Sequence, residues 1–168
     1  PPPLQPSAFA AAEIATLART LAHAERPFLL AGRGAWLADA GDALGALAER
    51  TGAVTASTAL GRGVFPDARY DLGVTGGFGA DGAMALVRDA DVAVVFGASL
   101  NQFTMRFGDL FAPGTRVVQV DIAPAATHPH VGGFVRGDAA VVTSALVAAL
   151  DALAATPSGW RDTIDRAA

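Results

Sequence analysis

Three short stretches of this 168-residue sequence carry residue types that do chemistry. The first, GASLN (97–101), nearly matches the nucleophile elbow G-x-S-x-G. Ser99, Asp121 and His128 or His130 follow one another in the order of a hydrolase triad. The fifth residue is Asn101 rather than glycine, and no helix pattern starts directly after Ser99, so a small serine hydrolase is the lesser reading. The second, GFGADG (77–82), matches G-x-G-x-x-G, and GRGAWL (32–37) matches it in part. That fingerprint needs a strand before it and an acid about twenty residues on, at the end of the next strand. DLGVT, before Gly77, is a poor strand, and the region near Gln102 does not read as a strand end. GRGAWL lacks the third glycine, and its following strand ends in Ser57. The usual NAD fingerprint therefore fails twice, and glycine-rich turns are the plainer reading. The third stretch, HPH (128–130), lacks a third metal ligand at suitable spacing and reads as a solvated loop. His23 reads as an exposed helix-end residue. Asp121 closes a buried strand, where a lone carboxylate is costly. A ribose hydroxyl or a turn N–H would each satisfy it, and both stay open.

Such groups need elements to hold them. Ser7 is placed to cap a helix over 8–24, and PFLLAG (27–32) reads as a buried strand. GRGA turns into a helix over 36–51 with Trp36, Leu37, Ala40, Leu44, Leu47 and Ala48 along one stripe, and Gly52 sits where a left-handed cap belongs. AVTAS (53–57) is a second strand. Residues 58–82 hold seven glycines and little periodicity, a length of loop that is usually functional. A helix over 81–89 and a strand over 91–97 follow. Phe103, Phe107 and Phe111 are spaced as on a helix packed into the core. RVVQVDI (116–122) and FVRG (134–137) are strands, and Asp138 caps a helix over 139–154. The tail to Ala168 carries no pattern. Short apolar runs alternating with amphipathic helices imply an α/β fold with a parallel sheet between helical layers. Ligands in such folds bind outside the carboxyl ends of the strands.

Composition narrows the chemistry. There is no cysteine, which excludes disulfides, thiol nucleophiles and thiolate metal sites. All twelve basic residues are arginine, so a Walker-type phosphate lysine and a Schiff-base lysine are excluded as well. The net charge of −4 and a pI near 5.2 argue against a nucleic-acid partner. Mean hydropathy is +0.38, but no apolar run reaches membrane-spanning length, and no leader pattern is visible. A cytoplasmic protein without a membrane partner is the expectation. PPPLQPS at the start reads as an interdomain linker.

The order of segments RPFLLAGRGA, AERTGAVTASTALGRGVFPD, LGVTGGFGADGAMALVRDADVAVVFGASLN, FAPGTRVVQVDIAP and VRGDAAVVTSAL resembles the central domain of thiamine-diphosphate-dependent enzymes. This is the family of acetolactate synthase, benzoylformate decarboxylase and oxalyl-CoA decarboxylase. The resemblance covers 10–155, leaving 1–9 and 156–168 as linker and tail. It implies a three-layer α/β/α domain with a six-stranded, Rossmann-like parallel sheet. That domain lies between pyrimidine-binding and diphosphate-binding domains of one polypeptide, in a homodimer or homotetramer. It further implies that thiamine diphosphate and Mg²⁺ are held by those other domains, and that this chain supports assembly and is not itself catalytic. GDAA (137–140) is not the family's diphosphate motif. In acetolactate synthase the central domain holds FAD, in oxalyl-CoA decarboxylase ADP, and in several members nothing. The corresponding contacts fall on Gly32, Gly34, Thr58, Leu60, Gly77, Phe78, Gly79, Gly97, Ala98, Ser99, Asn101, Asp121, Ile122, Gly137 and Asp138. FAD-binding members carry a Gly-Ala-Arg-Phe-Asp-Asp-Arg type segment where this chain has GASLNQFTMRF. Ser99 stands for the first arginine, Asn101-Gln102 for the acidic pair, and Arg106 comes three residues after the second arginine's place. FAD, ADP, another nucleotide and an empty crevice all remain open. A self-standing NAD(P)- or nucleotide-binding domain is the alternative.

Overall fold

Val92, Ala93, Val94, Val95 and Phe96 are all buried, as are all five residues of the strand beside them. Strands apolar on every position belong in the middle of a sheet covered on both faces. The computed structural model, which describes residues 2 and 8–164, places them there. Its strands are β1 (Pro27–Ala31), β2 (Val54–Ser57), β3 (Asp71–Val74), β4 (Val92–Phe96), β5 (Arg116–Asp121) and β6 (Val131–Arg136). They form one parallel sheet in the order β3-β2-β1-β4-β5-β6. Chain order reverses between β1 and β4, the switch point at which doubly wound sheets open a crevice.

The period-2 alternation of strand side chains divides the core in two. Leu29, Ala31, Val94, Phe96, Val118 and Val120 face α1 (Ala8–His23), α3 (Gly41–Thr51) and α5 (Ala139–Ala152). Phe28, Leu30, Val54, Ala56, Ala93 and Val95 face α4 (Asp81–Asp89) and the loop carrying Leu100, Met105, Leu110 and Phe111. Each such leucine, valine or phenylalanine contributes about 1.5–3 kcal/mol on burial, so β1 and β4 form the rigid platform under the crevice. Their alignment has a polar pin. The Asp91 carboxylate accepts from the backbone N–H of Glu25 at 2.9 Å and of Arg26 at 2.8 Å, tying the start of β1 to the start of β4.

The structure departs from sequence expectation where local backbone geometry overrides periodicity. The helix expected over 36–51 is two helices, α2 (Arg33–Leu37) and α3. Asp39 takes a left-handed φ of 53°, and the N–H of Ala40 donates to the Ala35 carbonyl, closing α2 early. Ala35, Ala40, Leu44 and Leu47 are buried, but the turn points Trp36 and Leu37 to solvent instead of along the stripe. DLGVT does contain a strand. β3 is half-buried and reads poorly because Gly73, at φ 85°, accompanies a register shift against β2. β6 starts three residues earlier than FVRG. Of the three phenylalanines spaced as on a helix, only Phe111 is buried; Phe103 and Phe107 are exposed. Arg106 and Phe107 are left-handed, which breaks the helical spacing there. The helix over 81–89, the Gly52 cap at φ 70° and the Asp138 cap, which accepts from Val141 N–H at 3.1 Å, match expectation. Ser7, the expected cap of α1, lies outside the described residues. The patternless tail packs back: Trp160 and Ile164 meet the second core cluster, and the Arg161 guanidinium lies 4.2 Å from the Tyr70 ring centroid.

Candidate functional site

At the switch point the turns after β1 and β4 are knitted together. Gly32 N–H donates to the Phe96 carbonyl at 2.9 Å, Gly34 N–H to the Gly97 carbonyl at 2.8 Å, and Gly97 N–H to the Val120 carbonyl at 2.9 Å. The approach is so close that a Cβ on Gly97, whose φ is 60°, would lie 2.3 Å from Ala35 N. A Cβ on Gly32 would lie 2.6 Å from the Ala98 Cβ. Only glycine fits here, and the result is a low backbone saddle with a cavity on either side.

The larger cavity, of about 240 Å³, lies over the ends of β1, β2, β3 and β4. Thr58, Leu60, Phe78, Gly97, Ala98, Ser99 and Asn101 line it, joined by Arg33, Thr75, Phe103 and Thr104. The smaller, of about 170 Å³, lies over β5 and β6 and is lined by Gly34, Leu37, Gly97, Asp121, Ile122, Gly137 and Asp138. Gly97 belongs to both. Twelve of the fifteen positions named from the sequence thus come together around one saddle. Gly32, Gly77 and Gly79 do not line it. Gly32 is packed beneath the saddle. Gly77 makes room for the Phe103 ring, which a Cβ would meet at 2.2 Å, and Gly79 for the Met84 sulfur, which a Cβ would meet at 2.6 Å.

The two cavities differ in chemistry. The larger has apolar walls, Leu60, Phe78 and Phe103, with the two rings edge to face at 4.9 Å between centroids. Its charge is Arg33, which makes no ion pair among the described residues. The smaller holds two carboxylates between Leu37 and Ile122. Asp121 spends one oxygen on Ala123 N–H at 3.0 Å, the turn bond that the sequence left open, and Asp138 spends one on its helix cap. Each keeps a second oxygen as an acceptor for a hydroxyl donor.

A buried amide that sequence reasoning passed over holds the floor of the larger cavity. Gln119 is fully buried. Its Nε2 donates to the Ala98 carbonyl at 3.0 Å and to Thr127 Oγ1 at 2.8 Å, and its Oε1 accepts from Thr127 N–H at 3.0 Å. Thr127 Oγ1 in turn accepts from Leu100 N–H at 3.0 Å. The available signal was one amide inside the apolar run RVVQVDI. Arg33 was also missed, although it is the one charged residue in the first glycine turn.

With His130 as its base, the hydrolase reading fails on geometry. His130 Nε2 bonds the Thr115 carbonyl at 3.0 Å, just before the amino end of β5, whereas Asp121 stands at its carboxyl end and Ser99 follows the carboxyl end of β4. Half-buried against Phe111, His130 is also less solvated than its loop suggested. No group of three metal-ligating side chains occurs among the described residues, and Asp138 is engaged as a cap. The described residues therefore do not fit a diphosphate–Mg²⁺ site. Among the described residues, no helix is long and apolar enough to cross a membrane.

A parallel sheet ordered 3-2-1-4-5-6, with a glycine saddle at its switch point, defines a doubly wound, Rossmann-like α/β domain. The family model of the thiamine pyrophosphate enzyme central domain matches residues 14–153, and the chain belongs to that family. It is 33% identical over 141 residues to an acetolactate synthase of Mycobacterium leprae, covering 82% of this chain and 23% of that protein. The chain thus spans about a quarter of the length of the curated relatives it matches. Among solved structures, a protein of Mycobacterium smegmatis assigned as a thiamin diphosphate-dependent enzyme superposes with a TM-score of 0.70 at 27% identity, over 88% of this chain and 28% of its own. Benzoylformate decarboxylase of Polynucleobacter necessarius gives 0.69 at 22% identity, over 87% and 28%, and shows the shared fold.

Proposed function

We propose that this chain is the non-catalytic central domain of a thiamine-diphosphate-dependent 2-keto-acid decarboxylase or carboligase of the acetolactate synthase type. In that reading it supports assembly of a homodimer or homotetramer and binds FAD or ADP across the glycine saddle. Thiamine diphosphate and Mg²⁺ belong to the pyrimidine-binding and diphosphate-binding domains of the same polypeptide. The observation that carries the nucleotide reading is the two-part crevice at the switch point. Asp121 and Asp138 offer acceptors to ribose hydroxyls, Leu37 and Ile122 flank a base, and Arg33 awaits an anionic group beyond the saddle. No lysine is available, so the cationic contact to a phosphate falls to Arg33, beside backbone N–H groups and the hydroxyls of Thr58 and Ser99.

The test is a thermal-shift titration with FAD, ADP, ATP, NAD⁺, NADP⁺ and coenzyme A. A ligand at about 100 times its Kd adds about 2.7 kcal/mol to the native state. The expected result is a rise with FAD or ADP that Asp121→Ala abolishes. A rise with NAD⁺ or NADP⁺ alone supports the self-standing dinucleotide domain instead, and no rise with any of the six, in this chain and in the full-length parent alike, overturns the nucleotide reading.

A further inference from the structure

The segment after α5 crosses the amino end of the sheet and closes on its edge strand. Ser158 N–H donates to the Thr51 carbonyl at 2.9 Å and Ser158 Oγ to the Glu25 carbonyl, close to the starts of β2 and β1. The seat is tight, for a Cβ on Gly52 would stand 2.1 Å from the Ser158 carbonyl oxygen. Beyond it, Trp160 and Ile164 pack against the second core cluster, as Leu72 of β3 does. Arg161 lies over the Tyr70 ring and pairs with Glu49 of α3 at 3.2 Å. Its side chain is 11% exposed, whereas the arginines of the other four ion pairs among the described residues are 29–46% exposed. Such burial strengthens a cation over a ring, because little water competes for the charge. Tyr70 is tied on two further sides. Its Oη donates to the Asp162 carboxylate at 3.0 Å, and its carbonyl accepts from Thr55 Oγ1 of β2 at 3.4 Å.

β3 needs such support. It is an edge strand of four residues, none fully buried, and its register against β2 is broken. Yet it carries a wall of the larger cavity. Directly after it, Thr75 N–H donates to the Ser57 carbonyl at 2.9 Å and Gly77 N–H to the Phe103 carbonyl at 3.2 Å, and Thr75 and Phe78 line the cavity beside Phe103. Tyr70 is the residue before β3, so whatever fixes its ring fixes the near end of a short strand whose far end is the wall. We infer that Arg161 is a positioning residue for the larger cavity. It acts through Tyr70 and β3, and release of segment 158–164 lets β3 and the Thr75–Phe78 wall open as one unit. An edge strand with a single neighbour is where sub-global opening begins. The inference rests on the nucleotide reading only for the ligand, since the coupling is a property of the chain itself. By linkage, a ligand that grips the wall also holds the segment at the opposite end of the sheet.

Residue-resolved hydrogen–deuterium exchange on this chain tests it. In Arg161→Gln the amides of Thr75 and Gly77 should exchange at least about tenfold faster than in wild type, while those of Gly32 and Gly97, bonded at the saddle, stay unchanged. Tyr70→Leu should do the same. The double variant should exceed either single by no more than about twofold, because both remove one contact. Tyr70→Phe keeps the ring under the guanidinium and should retain slow exchange. Arg50→Gln, which breaks the exposed pair with Asp151, is the control and should change none of the four amides. Unchanged exchange at Thr75 and Gly77 in Arg161→Gln overturns the inference. So does equal acceleration at all four amides, the mark of a general loss of stability, and so does a double variant whose effect is the product of the two singles. With ADP at about 100 times its Kd, the Ser158 amide should slow at least about tenfold together with that of Thr75. Slowing at Thr75 alone overturns the coupling. Slowing at neither counts against ADP as the ligand and not against the coupling, which the ligand-free variants decide.

Discussion

Replacing Gly97 by alanine strikes the point at which sheet, saddle and crevice meet. Gly97 holds φ at 60°, and a non-glycine residue there costs about 1–2 kcal/mol. The added methyl would stand 2.3 Å from Ala35 N and 2.6 Å from the Gly34 carbonyl carbon, backbone atoms of a turn held by the Ala35 N–H bond to the Gly32 carbonyl and by the Gly34 N–H bond across the saddle to the Gly97 carbonyl. Backbone cannot swing away as a side chain can, so overpacking adds about 1–3 kcal/mol. The sum is about 2–5 kcal/mol. A domain of this size loses about 2–4 °C per kcal/mol, so the melting temperature should fall by on the order of 10 °C. Urea denaturation with a shared m-value gives the free energy directly. Gly114→Ala is the matched control, because nothing lies within 4 Å of its Cβ position, and it should change stability by less than about 1 kcal/mol. Equal stability of Gly97→Ala and wild type would refute the saddle, and so would equal losses at the two glycines.

Two further substitutions test the remaining structure. Gln119→Leu keeps the volume but leaves the Ala98 carbonyl and the Thr127 N–H without their partner; it should cost about 1–3 kcal/mol in urea denaturation and quicken proteolysis at 98–100, whereas unchanged stability would show the clamp to be idle. Phe111→Ala should cost about 3–5 kcal/mol and Phe107→Ala within about 0.5 kcal/mol in the isolated chain. Comparable losses at both would restore the helical stripe that the three phenylalanines suggest.

The strands and helices nearest the core were legible in the sequence because burial on both faces leaves a plain mark. PFLLA and VAVVF read as buried strands, and Asp138 and Gly52 announced their caps through side-chain and backbone chemistry that is local. Family resemblance, carried by five segments in order, pointed to fifteen positions, twelve of which line the two cavities. Local reasoning failed where a residue's role depended on a distant neighbour. Asp39 ends α2 against its apolar stripe, and β3 exists because β2 lies beside it.

The sequence by itself determined the fold class, the absence of thiol and lysine chemistry, and which residues follow the strand ends. Tertiary structure decided which of those residues meet. It set Gly34 on Gly97, divided the crevice into an apolar cavity with Arg33 and an acidic one with Asp121 and Asp138, and separated Ser99 from His130 across the length of the sheet. The physical reason is range. Propensity, capping and burial periodicity act over a few residues, whereas a site at a switch point is assembled from turns that only sheet pairing brings together.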